Sequence, residues 1–264
     1  KLYGLGSNDA GGCLVALLGA FLYVQQAGIK LKYNLVFAAT AEEEISGKGG
    51  VEMILPLLGD VFLGIVGEPT LLNMAVAEKG LLVLDCTVTG VAGHAAREEG
   101  DNALYKAMND IEWFRTWQFG QVSDLLGEVK MTVTGIQAGT QHNVVPASCH
   151  YTVDVRTTDR YNNEDVLHIV QQNVAAQVVP RSLRLRASGI DDSHPIVTAA
   201  RQLGISTFGS PTISDQALMP FPTVKIGPGD SARSHMADEY LFVNEIAEGM
   251  QLYVDLLLKL NEMI

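Results

Sequence analysis

Apolar runs and helical segments alternate at both ends of the chain. Residues 33–40 and 61–70 are nearly continuous apolar runs of strand length, as in strands covered on both faces of a sheet. Residues 10–26 predict a helix buried on most faces, and residues 244–264 predict a long C-terminal helix. This alternation predicts an α/β domain with a mostly parallel sheet.

The middle of the chain has a different pattern, in which apolar residues occupy alternate positions. Two amphipathic helices are predicted there, at 101–117 with Asp101 as the expected N-cap and at 162–178. Half-exposed strands are predicted at 80–93, 128–139, 147–158 and 182–187. The resulting order β-α-β-β-α-β predicts a ferredoxin-like α+β domain.

The α/β pattern returns at about residue 188, at a second helix–strand pair. We therefore predict one discontinuous domain over 1–75 and 188–264, interrupted by a second domain over 76–187.

Composition and charge exclude several functions. The 264 residues are 47% hydrophobic with a formal net charge of −12, which disfavours binding to nucleic acid or to anionic membranes. No apolar run reaches the roughly 18 residues without polar interruption that a membrane span needs. The three cysteines, Cys13, Cys86 and Cys149, lie outside any CxxC motif, which favours a reducing cytoplasm and argues against a thiolate metal site.

Acidic side chains follow the predicted strands where those strands end. Three consecutive glutamates at 42–44 follow the first apolar run, and Glu68 follows the second. Asp9 precedes the first helix, and His235 follows the strand predicted near the C-terminus. Each residue alone has an ordinary explanation, as an N-cap, a solvated loop, a turn or a surface histidine. Since sites of open α/β sheets lie beyond the carboxyl ends of the strands, we expect these residues to converge there.

Converging carboxylates repel one another unless a cation lies among them. Oxygen and imidazole ligands without thiolates suit zinc, and also cobalt or manganese. Glu43 and Glu44 leave the strand end in different directions, so one can ligate a metal while the other acts as general base.

Seven short motifs give the sequence a family resemblance. In chain order they are KLYGLGSNDAGG, TAEEE, GEPT, GHAA, NVVP, DVR and GPGDSARSHMADEY. Together they resemble the co-catalytic zinc peptidases, which include acetylornithine deacetylase, succinyl-diaminopimelate desuccinylase, carboxypeptidase G2 and aminoacylase. The resemblance implies a zinc-exopeptidase-like catalytic domain with a dimerisation or lid domain inserted in it. It also implies hydrolysis of a small N-acyl amino acid, such as an acetyl or succinyl derivative of ornithine or diaminopimelate, in amino-acid biosynthesis.

The resemblance also implies roles for individual residues. Asp9 matches the carboxylate that bridges two divalent ions, and Glu43 matches the general base. Glu44 and His235 match ligands of one ion, and Glu68 matches a ligand of the other.

Three residues of the inserted domain match positions that contact the substrate. His94 matches a histidine that reaches the partner's active site in dimeric members, so the resemblance implies a homodimer. Asn143 and Arg156 match residues that hold the substrate carboxylate.

One expected motif is absent. The family has a His-x-Asp motif ahead of the LYGLG segment, and no histidine of this sequence takes its place. We expect that motif in a preceding N-terminal segment. A di- or aminopeptidase, or a non-catalytic dimeric binding protein that has lost one metal site, remains an alternative.

The acyl group stays open as well. A succinyl group would need an additional cation, for which Arg97, Arg233 and Lys79 are unranked candidates. Asp215, in the segment ISDQ, is interpreted either as a pocket residue or as a simple turn residue.

Overall fold

The computed structural model describes all residues from 1 to 264, and they divide into two compact units. The first unit comprises Lys1–Glu78, Ser188–Ser210 and Ser214–Ile264. The second comprises Lys79–Ala187 with Pro211–Ile213.

The first unit contains a mixed sheet with helices. Its strands are β1 (Leu2–Tyr3), β2 (Gly64–Val66), β3 (Met74–Glu78), β8 (Ser188–Gly189), β9 (Thr207–Ser210), β10 (Thr223–Lys225) and β11 (Tyr240–Leu241). Its helices are α1 (Gly12–Gln26), α4 (Pro195–Gln202) and α5 (Val243–Met263). The main sheet has the order β2-β10-β3-β8, and β9 pairs with β3. Pairings β2/β10 and β3/β9 are parallel, whereas β10/β3 and β3/β8 are antiparallel, so the sheet is mixed where a mostly parallel one was predicted.

Helices α1 and α5 pack against each other and share a core with this sheet. Four fully buried side chains of that core are Ala16 of α1, Val224 of β10, Ile226 just after β10, and Leu256 of α5. Helix α1 begins at Gly12, where a Cβ atom would lie 2.2 Å from a methyl carbon of Leu241, so only glycine allows this close approach.

The segment Ser7–Gln26 is long and apolar enough to cross a membrane, with a mean hydropathy of 1.3. About a third of it is buried inside the structure. Core helices and N-terminal signal sequences have the same length and composition, so this property alone does not distinguish among them.

The apolar run 33–40, predicted as a strand, joins no strand ladder. Its side chains nevertheless alternate in exposure as in a strand: Tyr33, Leu35 and Phe37 are partly buried, and the residues between them are exposed. A cavity of about 750 Å³ is lined both by this segment and by residues at and around β2. The run is therefore extended but lacks the hydrogen-bonding neighbour that would make it a strand.

The second unit is a four-stranded antiparallel sheet with two helices. Its strands are β4 (Gly80–Thr89), β5 (Lys130–Ala138), β6 (Ser148–Thr157) and β7 (Gln177–Pro180), and its helices are α2 (Ala103–Thr116) and α3 (Asn163–Asn173). The sheet order β5-β6-β4-β7 is that of a ferredoxin-like fold.

Two predictions in this unit are wrong in detail. Asn102, rather than Asp101, caps α2, because its side chain accepts the Leu104 N–H at 2.9 Å while Asp101 pairs with Lys106.

The last strand of this unit is Gln177–Pro180, not 182–187. The helix predicted at 162–178 ends at Asn173 instead, and Gln177 and Val178 at its predicted end belong to this strand, which pairs with β4.

Candidate metal centre

Three of the predicted ligands lie together in the first unit. The ligand atoms of Asp9, Glu44 and His235 are all within 4.8 Å of one another. The imidazole Nε2 of His235 lies 3.5 Å from a carboxylate oxygen of Asp9. Residues more than 190 positions apart in the sequence thus share one small space.

Two side chains that the motifs did not single out hold Asp9 beside the His235 loop. The buried carboxylate of Glu239 accepts backbone N–H groups from Gly6 at 3.1 Å, Asn8 at 2.8 Å and Asp9 at 2.9 Å. Burial alone would raise the pKa of Glu239, but the three N–H donors and nearby His235 lower it below its ordinary value. Glu239 therefore stays ionised and fixes the turn that carries Asp9.

The amide of buried Asn8 makes the second connection. It donates to the Asp230 carbonyl at 3.0 Å and to the Ser234 hydroxyl at 3.1 Å, and its oxygen accepts the Asp230 N–H at 3.2 Å. His235, next to Ser234, has a left-handed backbone with φ 59°. Such a conformation in a non-glycine residue costs of order 1 kcal/mol and is often found at functional positions.

A short turn positions the glutamates. Glu43–Ile45 forms one helical turn between Glu42 and Ser46, which both have left-handed φ, of 61° and 48°. The Glu42 carboxylate accepts the Gly49 N–H at 2.8 Å and so closes the loop. Glu42 thus has a structural role, while Glu43 and Glu44 remain available.

Glu43 and Glu68 have strongly raised pKa values, chiefly because they are buried. Burial, followed by Asp215, Glu44 and Asp9, raises the pKa of Glu43 to about 7. Burial, followed by Glu43 and Asp9, raises the pKa of Glu68 well above its ordinary range. Carboxylates that raise one another's pKa form a site that a cation would stabilise.

The donors present fit a divalent metal. Two carboxylates and one imidazole form a set that zinc, cobalt or manganese accepts. The nearby thiol of Cys13 is buried and donates to the Pro228 carbonyl at 3.2 Å, and burial raises its pKa well above the ordinary value, so it stays protonated. Glu68, the fourth predicted ligand, is not part of this group, although the charge of Asp9 contributes to its raised pKa.

A buried ion pair lies in the same unit. Lys225, at the end of β10, contacts Glu78 at 3.0 Å, and the two side chains are 2% and 0% exposed. Glu78 also accepts the Ser214 hydroxyl at 2.7 Å. No motif indicated this pair, since its members are far apart in the chain and each lies in an otherwise apolar strand.

Asp215 adjoins the glutamates. Its carboxylate accepts the Thr40 hydroxyl at 3.3 Å and lines the same cavity as Glu43 and Glu68. Burial raises its pKa, and hydrogen bonding to Thr40 opposes this. Of the two interpretations of Asp215, the structure supports a pocket residue.

The other three candidate residues belong to the second unit. His94 is exposed, and its Nδ1 accepts the Ala96 N–H at 3.1 Å, which leaves Nε2 to carry the proton of the neutral ring. Asn143 is exposed, and its backbone carbonyl accepts the Ala95 N–H. Arg156 makes a two-pronged ion pair with Asp154, at 2.8 and 3.0 Å, so part of its guanidinium fork is already engaged.

Sequence comparison identifies a family. The model of peptidase family M20/M25/M40 matches residues 1–259. The chain is 27% identical over 266 aligned positions to acetylornithine deacetylase from Myxococcus xanthus, covering 93% of this chain and 69% of that protein.

Solved structures show the same fold. A tripeptidase from Staphylococcus aureus superimposes with a TM-score of 0.72 at 19% identity, covering 94% of this chain and 68% of that one. The Bacillus subtilis YxeP protein, described as a dinuclear metal binding peptidase of family M20, superimposes with a TM-score of 0.64, also at 19% identity, covering 94% and 71%.

Proposed function

The chain belongs to peptidase family M20/M25/M40 and is thus a metal-dependent hydrolase of amide bonds, and from this premise we propose that it removes an N-acyl group from an amino acid. The observation that supports the proposal best is the grouping of Asp9, Glu44 and His235 beside Glu43. Similarity to acetylornithine deacetylase favours an acyl amino acid over a peptide as substrate.

In this proposal, the available ligand atoms indicate which residues would hold each metal ion. Asp9, Glu44 and His235 would hold one divalent ion, and Asp9 with Glu68 would provide part of the site for a second. Zinc suits these donors, with cobalt or manganese as alternatives. When bound, the ions supply Lewis acidity towards the amide carbonyl and the attacking water.

Glu43 moves the proton in this mechanism. It accepts a proton from the attacking water and returns it to the leaving nitrogen, so that the C–N bond breaks to give a carboxylic acid and a free amine. A carboxylate suits both steps, since it accepts a proton when ionised and donates it when protonated.

The second unit contributes substrate contacts in the proposal. His94 carries its proton on Nε2, which suits a donor to the oxyanion of the tetrahedral intermediate. We propose that it acts across a homodimer, as the family resemblance implies. Asn143 and the remaining donors of Arg156 would hold the substrate carboxylate. We further propose a cytoplasmic location, which suits three cysteines that are all unpaired.

The test combines metal analysis with a deacylation screen. The zinc-loaded protein should hydrolyse N-acetylornithine faster than dipeptides, and removal of metal with a chelator should abolish turnover. Glu43→Gln should retain the metal but lower kcat by a factor of about 10² to 10⁴. Glu42→Gln is the matched control, and its kcat should change little because Glu42 only closes a loop.

Two results would contradict the proposal. Faster turnover of dipeptides would assign the protein to the peptidases of the family. Metal binding without hydrolysis of any amide would favour a non-catalytic binding protein.

A further inference from the structure

We propose that Arg233 is a positioning residue for the metal centre, which fixes the orientation of His235 by tying together the two ends of the loop that carries it. This inference rests on the proposed function only in assigning a metal to Asp9, Glu44 and His235. It depends on the partners of Arg233, on the backbone conformation of His235, and on how little else holds the imidazole.

The guanidinium of Arg233 is engaged within the protein. Its two Nη groups donate to the two carboxylate oxygens of Glu245, at 2.9 and 2.7 Å, and the two side chains are only 11% and 17% exposed. The guanidinium carbon lies 5.2 Å from the ring centre of Tyr240 and 5.4 Å from that of Phe242. Arg233 is therefore held inside its own unit and is not available to a succinyl group of the substrate.

The carboxylate of Glu245 joins the two ends of the His235 loop, residues 234–241. Glu245 lies in the first turn of α5, and one of its oxygens accepts both an Nη group of Arg233 and the backbone N–H of Phe242, at 2.9 Å each. Arg233 directly precedes the loop and Phe242 directly follows it. A two-pronged pair of arginine and carboxylate fixes direction as well as distance, so this contact sets the spacing of the loop ends.

The position of His235 depends on its backbone, because packing does little to hold the side chain. That side chain is 72% exposed, and its Nε2 lies 3.5 Å from a carboxylate oxygen of Asp9. The backbone of His235 is left-handed, with φ 59°, and a non-glycine residue keeps such a conformation only where the surrounding structure imposes it. If the loop ends were free to separate, His235 could relax to an ordinary φ, and the imidazole would leave Asp9 and Glu44.

The turn before the loop does not need the side chain of Arg233. Ser231–Arg233 forms a short helical turn capped by Asp230, whose side chain accepts the Ala232 N–H at 2.9 Å. The backbone N–H of Arg233 donates to the Asp230 carbonyl, also at 2.9 Å. Truncation of the Arg233 side chain should therefore release the loop while this turn stays folded.

The test measures zinc affinity by competition with a chromophoric chelator. Arg233→Met should weaken zinc binding by about 10-fold or more, the range expected when a residue that orients a metal ligand is removed. Arg233→Lys keeps the charge but lacks the fork that spans both carboxylate oxygens, so it should recover only part of the loss. The matched control is Arg181→Met, which breaks a two-pronged pair with Asp85 in the second unit, at 2.8 and 2.9 Å, and should change zinc affinity less than about twofold.

A double-variant cycle shows whether Arg233 acts through His235. His235→Ala removes the imidazole, so the addition of Arg233→Met to it should weaken zinc binding by less than about twofold more. Cobalt gives a spectroscopic check, since its visible absorption depends on its ligands. The spectrum of cobalt-loaded Arg233→Met should shift towards that of cobalt-loaded His235→Ala, because the same ligand is displaced in both.

A second variant separates the lost tie from the cost of a lone carboxylate. Arg233→Met leaves Glu245 without its cation, which by itself destabilises the folded protein. In Arg233→Met/Glu245→Gln no unpaired charge remains, and the glutamine oxygen still accepts the Phe242 N–H. Zinc affinity should stay at the level of Arg233→Met, whereas urea unfolding of the zinc-free protein should return towards that of the wild type.

Three results would overturn the inference and leave the proposed hydrolase intact. They are unchanged zinc affinity in Arg233→Met, an equal loss with and without His235, and wild-type zinc affinity in Arg233→Met/Glu245→Gln. Zinc binding that depends on Arg233 through His235, in a protein that hydrolyses no amide, would refute the proposed function and support the inference.

Discussion

The buried pair of Lys225 and Glu78 leads to a quantitative prediction about stability. The charged atoms lie 3.0 Å apart, and neither side chain is more than 2% exposed. Lys225→Met would leave the Glu78 carboxylate buried without its cation. Breaking a buried pair in this way costs about 3–5 kcal/mol, because the remaining charge has lost both water and partner.

A second substitution should recover much of that loss. In Lys225→Met/Glu78→Gln, the buried charge is gone and the glutamine oxygen still accepts the Ser214 hydroxyl. We expect the double variant to be only about 1–2 kcal/mol less stable than the wild type, since neutral replacement of a buried pair is often tolerated. The second substitution therefore stabilises a protein that the first has destabilised.

Acidification gives an independent check on this explanation. Burial raises the pKa of Glu78 even with Lys225 present, and Lys225 opposes the shift. Without Lys225 the folded-state pKa rises further above the unfolded value. The cost of the lone carboxylate is therefore present above that folded pKa and is relieved as the pH falls through it.

The assay is urea unfolding of the wild type, the two single variants and the double variant. Lys259→Met is the control, because it breaks an exposed pair with Glu262 and should cost no more than about 0.5 kcal/mol. A loss below about 1 kcal/mol for Lys225→Met, or a double variant as unstable as the sum of the singles, would refute the reasoning. Either result would mean that Glu78 is not ionised in the folded protein.

Two further predictions concern the ligands and the dimer. Glu239→Gln keeps only one oxygen of a carboxylate that accepts three backbone N–H groups, so we expect it to lower the free energy of unfolding in urea by about 1–2 kcal/mol. It should also weaken zinc binding, measured by calorimetry, because the turn that carries Asp9 loosens. Unchanged zinc affinity would contradict this. His94→Ala should retain zinc but lower kcat by about 100-fold or more. When the His94→Ala and Glu43→Gln proteins are mixed, the mixture should recover about a quarter of wild-type activity if His94 acts across a two-fold dimer. No recovery despite subunit exchange would place the action of His94 within one subunit.

The sequence predicted the site better than it predicted what supports the site. Asp9, Glu44 and His235 could be proposed from their places at strand ends and from short motifs, and the structure brings their ligand atoms within 4.8 Å. The supporting roles of Asn8 and Glu239 could not be predicted, because their hydrogen-bond partners become neighbours only in the folded structure. An asparagine in a glycine-rich turn has no local pattern that reveals a bond to residue 230.

The same limit applies to charged residues inside strands. Lys225 and Glu78 each interrupt an apolar strand and, taken singly, suggest an exposed position. Their mutual contact, together with the Ser214 hydrogen bonds to Glu78, makes both burials tolerable, and it joins residues 147 positions apart in the chain. Pairing of this kind is invisible to any analysis of a local window.

The segment 33–40 shows why a correct pattern can still predict the wrong element. A continuous apolar run indicates that a segment will be covered, and Tyr33, Leu35 and Phe37 are indeed partly buried. A strand also requires a neighbouring backbone to exchange N–H and C=O groups with, which composition does not report. Here β2 pairs with β10, and no strand of the structure pairs with 33–40. Apolar patterning therefore determines which face of a segment is buried, whereas ladder membership is determined by what lies at its side.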